Sequence, residues 1–229
     1  MAVSDFKVTV LQAVNEVRKK QKISTISTLD ADSDALSKLD YLNDVVADLS
    51  DFGDWQEQYR EYVVSVQSSV ADYSVSGIVI QNINEISIST RSSELRRIDL
   101  DDMRRLQRND SRGEPKQWSV KGVNSEGNPI VTVHPLPSSN DASKYFRFAL
   151  YEKPVVYTTA DTGTTVPFPG RVVVQGLLTK AILDESDGEP TNRYVANLEL
   201  YEEMKKESFN RFNGDMGGSV YFVPTRGRR

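Results

Sequence analysis

The spacing of hydrophobic and polar positions predicts two amphipathic helices near the start of the chain. In the first, residues 5–21, apolar residues recur at i, i+4, i+8 and i+11 behind the candidate N-cap Ser4. These positions are Phe6, Val10, Val14 and Val17. The second helix, residues 33–49, starts from Ser33 as its N-cap and keeps its apolar residues on one face. They are Leu36, Leu39, Leu42, Val46 and Leu49.

Two more helices are predicted near the end of the chain. Residues 171–184 are apolar nearly all round, which is typical of a buried central helix. Residues 191–212 form an amphipathic helix, and its inward side chains are Tyr194, Val195, Leu198, Tyr201 and Met204. Because each of the four helices has an apolar face that no adjacent segment can bury, we expect them to pack together in one bundle.

The chain between the two pairs of helices is rich in strand-forming residues and turn formers. Extended runs are predicted at residues 59–68, 73–80 and 83–90. Three further runs lie between Trp118 and Pro154, and we interpret them as antiparallel strands separated by Gly127-Asn128-Pro129 and by residues 138–141. A short helix at residues 100–107, capped by Asp99, interrupts this β-rich chain.

Together these elements predict an α+β protein: a helical bundle made of the N- and C-terminal helices, with an inserted antiparallel β-sandwich or barrel. The two parts of the bundle are assigned to residues 1–52 and 161–212. The inserted β-rich domain covers residues 53–160, with its short helix near 99–107. Residues 213–229 are predicted to be a C-terminal docking arm.

The docking arm contains a short apolar, β-prone run that is followed by arginines. Such a run can add a strand to an exposed sheet edge on another chain, and guanidinium groups suit carboxylates on a partner surface. The alternative is that the arm packs back on its own bundle. The predicted partner-binding residues are Val220, Tyr221, Phe222, Val223, Arg226, Arg228 and Arg229.

Composition narrows the possible functions. The net charge of −5 argues against a general nucleic-acid binder. The chain has no Cys, so disulfides, thiolate catalysis and cysteine metal sites are excluded. No apolar run approaches the roughly 20 residues of a membrane helix. The N-terminus lacks a signal-peptide pattern, so we expect neither a membrane span nor secretion.

The sequence contains no complete catalytic or metal-binding motif. Asp30-Ala-Asp-Ser-Asp supplies the first three ligand positions of a Ca²⁺ loop, but the central Gly is missing and Tyr41 stands in place of the bidentate Glu. His134 is the single histidine, and a lone strand histidine is more typical of a structural role. No nucleophile elbow, phosphate loop or zincin pattern occurs. We therefore predict no enzyme, no metal and no cofactor, and a hydrolase using two carboxylates is the open alternative.

Two basic clusters each allow two interpretations. Arg18, Lys19, Lys20 and Lys22 end the first helix, where they either complement the helix dipole or form a patch for an acidic partner. The second cluster is interleaved with aspartates, which indicates a salt-bridged face or else a contact with a subunit or a phosphate. It comprises Arg96, Arg97, Arg104, Arg105 and Arg108.

The order of the elements and a few local motifs resemble a known family. Ile26-Ser-Thr-Leu-Asp lies between the first two helices, Asp54-Trp55 follows them, and the β region contains Trp118, Pro135 and Lys153-Pro154. Over residues 4–212 the chain resembles the head-to-tail adaptors of tailed bacteriophages, the family that includes tail tubular protein A.

This resemblance implies a structural virion protein, assembled in the host cytoplasm, that forms a ring of twelve copies below the portal protein. Such a ring continues the DNA channel, lets DNA pass and attaches the tail nozzle or tube. We expect an acidic or neutral channel, because a basic lumen would hold phosphates. The candidate lining residues are the aspartates of the second helix and Glu199, Glu202 and Glu203. The alternative is a carbohydrate-binding or decoration β module of a virion, which requires exposed aromatic residues in the β region.

Overall fold

A computed structural model describes residues 7–89, 94–141 and 143–214 of the chain. The chain divides into two compact units. One comprises Met1–Gln56 together with Val156–Arg229, and the other comprises Glu57–Val155. We call them the helical unit and the β unit.

The described residues form helices at both ends and strands mainly in the middle. The helices are α1 Val10–Lys20, α2 Ser33–Phe52, α3 Leu100–Gln107, α4 Gly170–Glu185 and α5 Asn192–Gly214, with 3-10 turns at Gln56–Gln58 and Ser139–Asp141. The strands are β1 Val8–Thr9, β2 Tyr59–Ser65, β3 Asp72–Tyr73, β4 Ile80–Ile88, β5 Arg96–Arg97, β6 Gln117–Val123, β7 Pro129–His134, β8 Tyr145–Glu152 and β9 Thr165–Val166. The protein is therefore of the mixed α+β class, with several antiparallel sheets.

Helix α4 lies at the centre of the helical unit and contacts α1, α2 and α5. Its triple valine, Val172 to Val174, and Leu177 are buried, which confirms the prediction of a buried helix. Packing against α1, α2 and α5 buries apolar residues around the whole of α4. This burial outweighs the strand propensity of the three valines.

Helix α1 begins later than the predicted residue 5. Val8 and Thr9 pair antiparallel with Val166 and Thr165, so the chain is still extended there. Thr9 then caps α1: its hydroxyl accepts from the Gln12 N–H at 3.3 Å, and the Gln12 side chain accepts from the Thr9 N–H at 3.0 Å. The predicted cap Ser4 and the apolar position Phe6 lie outside the described residues.

Helix α2 differs from the prediction at its start and on its apolar face. Its N-cap is Asp32 rather than Ser33, because the Asp32 carboxylate accepts from the Ala35 N–H at 2.8 Å. Leu36 is exposed, whereas Ala35 and Val45 are buried beside the predicted Leu39 and Leu42. The buried stripe is therefore rotated slightly from the one that the leucine spacing predicts.

The β unit contains two sheets. The first has the order β2-β8-β4, and the second has the order β3-β7-β6-β5. Strands β6 and β7 form the predicted hairpin, but β8 belongs to the other sheet, where it pairs antiparallel with β2 and β4. The three runs predicted after Trp118 are therefore all strands with antiparallel partners, but they do not all belong to one sheet. Side chains of both sheets share one hydrophobic core, and neither sheet, as described, closes into a barrel.

The predicted strand at residues 73–80 is wrong. Strand β3 ends at Tyr73, and β4 starts only at Ile80. Gly77 between them has a φ of +79°, a conformation that glycine adopts without steric cost and that breaks an extended strand. Strand β2 ends at Ser65, earlier than predicted, whereas α3 covers the predicted residues 100–107.

Candidate functional site

Arg18 on α1 binds two aspartates at the start of α2. Its guanidinium lies 2.8 Å from Asp32 Oδ1 and 2.5 Å from Asp34 Oδ2, and its Nε donates to the Ser24 carbonyl at 2.7 Å. The hydrogen bond from Arg18, with help from the Ala35 N–H, holds the pKa of Asp32 below its usual value. Lys38 binds the second oxygen of Asp34. Two aspartates of the candidate Ca²⁺ loop, Asp32 and Asp34, therefore join α1 to the start of α2.

This arrangement corrects the interpretation of the basic patch at the end of α1. Only 3% of the Arg18 side chain is exposed, so it is not part of a basic surface for a partner. Lys19, Lys20 and Lys22 remain exposed, and Lys19 pairs with Glu16 at 2.7 Å. Sequence spacing missed Arg18 as a structural residue because its carboxylate partners lie beyond the end of α1.

The basic cluster around α3 contains short-range ion pairs. Arg104 lies 3.3 Å from Asp101, and Arg105 lies 3.4 Å from Asp102, all on the exposed side of the helix. Arg97 instead stacks over the Trp118 ring, 5.1 Å from its centroid. These contacts are those of a salt-bridged face, which was the first of the two interpretations.

Some of the predicted channel-lining acids form ion pairs and others do not; Asp44, for example, lies 3.4 Å from Lys180 Nζ. Asp48 and Glu202 are held by Lys205, at 3.0 and 2.8 Å, and the Tyr201 hydroxyl donates to Asp48 at 2.6 Å. Burial and this bond to Asp48 raise the pKa of Tyr201 far above its usual value. The acids that form no ion pair within the described part of the chain are exposed. They are Asp40 and Asp51 on α2 and Glu199 and Glu203 on α5.

His134 lies in a small open pocket of the β unit. The pocket has a volume of about 150 Å³, and its lining includes Asp72, Asp110 and Ser111. Burial lowers the pKa of His134, which favours the neutral imidazole. No side-chain hydrogen bond joins His134 to these residues in the part of the chain that is described. The pocket therefore contains the residue types of a catalytic triad, but not the hydrogen bonds between them that a triad needs.

Most aromatic residues that could form a binding platform are buried. Trp55 packs against Phe168 and Phe209, and its indole N–H donates to the Leu49 carbonyl at 2.6 Å. Trp118 is also buried, while Tyr145 is 37% exposed. This burial disfavours both base stacking and the carbohydrate-binding alternative, since each needs open aromatic faces.

Strand β2 has a free edge that sequence reasoning missed. β2 pairs with β8 alone, in register from Tyr59 to Ser65. Just past its end, the Val66 N–H donates to the Lys144 carbonyl at 3.0 Å, so even-numbered residues of β2 bond to β8. The backbone groups of Glu61, Val63 and Ser65 therefore point away from the sheet, and the described residues provide no hydrogen-bond partner for them. Strand pairing has to be known before such an edge can be recognised.

Several carboxylates lie close together on the face of the β2-β8-β4 sheet beside this edge. Glu61 and Glu85 flank Ala149 on β2 and β4, and Arg147 Nε lies 3.6 Å from Glu61 Oε2. The pKa of Glu85 is raised by burial, then by the charge and hydrogen bond of Glu94 and the charge of Glu61. Glu61 and Glu85 thus both lie near Arg147, and Glu94 lies next to Glu85.

The predicted partner-binding residues of the docking arm, Val220 to Val223 with Arg226, Arg228 and Arg229, lie outside the described residues. Within the described ranges there is no group of His, Asp or Glu that could hold a metal ion. The same part of the chain contains no helix long and apolar enough to cross a membrane.

Internal salt bridges, buried aromatics and an open sheet edge do not by themselves define the kind of protein. Comparison with protein families identifies the kind: residues 1–225 match the family described as SU10 adaptor protein. The chain belongs to the SU10 adaptor protein family, which confirms the resemblance to phage head-to-tail adaptors. Such an adaptor is a structural component of the virion and not an enzyme, and the family implies an oligomeric assembly with portal and tail components. No curated protein matches the chain.

Proposed function

We propose that this adaptor forms a ring of twelve copies below the portal protein, continues the DNA channel and attaches the tail nozzle or tube. The family match over residues 1–225 is the observation that carries the proposal. The helical bundle, residues 1–52 and 161–212, and the inserted β-rich domain, residues 53–160, are the body of each subunit. Residues 213–229 are the docking arm, and its partner is the portal or a neighbouring adaptor.

The exposed acids of α2 and α5 line the channel in this proposal. Asp40, Asp51, Glu199 and Glu203 are exposed, and their charge is not offset by an ion pair with another described residue. A lumen with such a lining repels phosphates and lets DNA leave the particle, whereas a basic lumen would retain it. We expect Asp40→Lys combined with Asp51→Lys to slow DNA release from assembled particles. Glu126→Lys, on an exposed turn of the β unit, is the control. A ring whose channel is lined mainly by Lys and Arg would contradict the proposal that acidic residues line it.

Electron microscopy of the purified protein tests the assembly directly. The expected result is a twelve-membered ring that joins the portal when the two proteins are mixed. Protein that forms no ring, either alone or with the portal, contradicts the proposal.

A truncation after Gly218 tests the docking arm. The shortened chain should join portal rings less well than the full chain, because it lacks the apolar run and the arginines that follow. Equal binding by the two chains shows that the arm is not needed for docking.

A further inference from the structure

The free edge of β2 lacks several features that protect exposed strands from pairing. Strands β4 and β6 contain register shifts, but β2 pairs with β8 without one. It contains no proline. Bulges and prolines are common protections of exposed edges, and a regular edge without them is open to another strand.

The side chains of β2 also favour a partner strand. Val63, at the middle of the edge, is 63% exposed. Arg60 is the cation of this strand, but its guanidinium is engaged with the Tyr59 carbonyl at 2.8 Å and with Glu152 at 3.6 Å. The edge therefore presents free backbone groups around an exposed apolar side chain.

The docking arm has an apolar run that can pair beside Val63 and arginines that can bind the nearby carboxylates. Residues 220–223 are all apolar, so either strand direction and any register places an apolar side chain beside Val63. Pro224 ends the run, and arginines follow at Arg226, Arg228 and Arg229. Those arginines complement the excess of carboxylates formed by Glu61, Glu85 and Glu94. The link from Gly214 to Val220 reaches about 20 Å when extended.

We propose that residues 219–223 of one adaptor add a strand to the free edge of β2 in a second adaptor, and that the arginines that follow bind the carboxylates on the adjacent sheet face. The occupant is another copy of this chain, and the contact rests on the ring assembly proposed above. Main-chain hydrogen bonds to Glu61, Val63 and Ser65 hold the strand, and the ion pairs orient it.

Single-cysteine variants test this contact, because the native chain has no cysteine. One full-length chain carries Val63→Cys and a second, size-tagged full-length chain carries Phe222→Cys. The two are mixed and treated with a short bifunctional thiol reagent. Since opposed strand residues lie within reach of such a reagent, the mixed cross-link should form in about tenfold higher yield than with a control cysteine. The control is Val123→Cys, a position in the same unit that is 66% exposed.

Each outcome of this experiment decides the proposal. A cross-link between the two different chains, absent with the control, supports it. Rings that assemble without this cross-link overturn the β2 contact and leave the proposed ring function intact. A cross-link found only within one chain carrying both substitutions shows that the arm binds its own β2, which also overturns the proposal. Chains that form no ring with or without the portal overturn both proposals.

Val63→Pro provides a second measurement. Proline removes the N–H that points away from β8 and leaves the bonds between β2 and β8 in place. Val63→Thr keeps the N–H and the branched shape, so it is the matched control. Assembly of the full chain should fall by about tenfold for Val63→Pro and remain near normal for Val63→Thr. Normal assembly of the proline variant overturns the proposal.

Discussion

Gly176 on α4 packs directly against Tyr201 on α5. A Cβ added at Gly176 would lie 2.7 Å from Cε2 of Tyr201 and 2.8 Å from Cγ1 of Val45 on α2. Neither neighbour can yield easily, because the Tyr201 hydroxyl is bound to Asp48 and Val45 is buried. The absence of a side chain at Gly176 therefore lets three helices approach closely.

Gly176→Ala should lower the free energy of unfolding by about 2 kcal/mol, since overpacking outweighs the better helix propensity of alanine. Chemical denaturation followed by circular dichroism measures the change. Gly163→Ala is the control, because an added Cβ there meets nothing within 4 Å. Equal stability of the Gly176 variant and the native chain contradicts the close packing.

Leu177→Asp should destabilise the helical unit by more than about 3 kcal/mol, because an unpaired carboxylate would be buried in its core. Leu177 is fully buried next to Gly176 on α4. Leu200→Asp changes a leucine of the same unit that is 45% exposed, and it should have little effect. Comparable denaturation midpoints for the two variants count against the central position of α4.

Arg18→Met should cost about 2 kcal/mol at neutral pH, less than a fully buried pair, because water still reaches the two aspartates. The folded-state pKa of Asp32 is lowered chiefly by its hydrogen bond from Arg18. This contribution is present above the unfolded pKa of Asp32 and is lost as pH falls through the folded pKa. The difference in melting temperature between native and variant chains should therefore shrink below about pH 4. Lys19→Met is the control. A difference in melting temperature that does not change with pH would contradict the role of the Arg18–Asp32 hydrogen bond.

Glu85→Gln should raise stability at neutral pH by about 0.5 kcal/mol, since it relieves repulsion on a half-exposed sheet face. Burial, Glu94 and Glu61 raise the folded-state pKa of Glu85. A raised carboxyl pKa contributes stability below the unfolded pKa, and this contribution is lost as pH rises through the folded pKa. The advantage of the variant should therefore disappear as pH falls toward about 4. A melting temperature that drops at neutral pH shows that the glutamate is favourable there.

The positions of the helices could be predicted from the sequence, because helical periodicity is a local property. The valines of α1, the leucines of α2 and the nearly all-apolar run of α4 mark their faces within one or two turns. Predicted helix ends were less accurate: α1 starts five residues later than predicted because Val8 and Thr9 pair with a strand far along the chain. The family resemblance was also recognisable from the sequence, since it depends on the order of elements.

Only the tertiary structure decided which strands pair and which side chains meet. Strand β8 follows the β6–β7 hairpin in the sequence but pairs with β2 and β4, because Phe146, Phe148 and Leu150 are buried in the core that both sheets share. The free edge of β2 and the contact of Gly176 with Tyr201 follow from such distant pairings. Local periodicity shows which face of an element is apolar, but the segment that covers this face depends on packing across the whole chain.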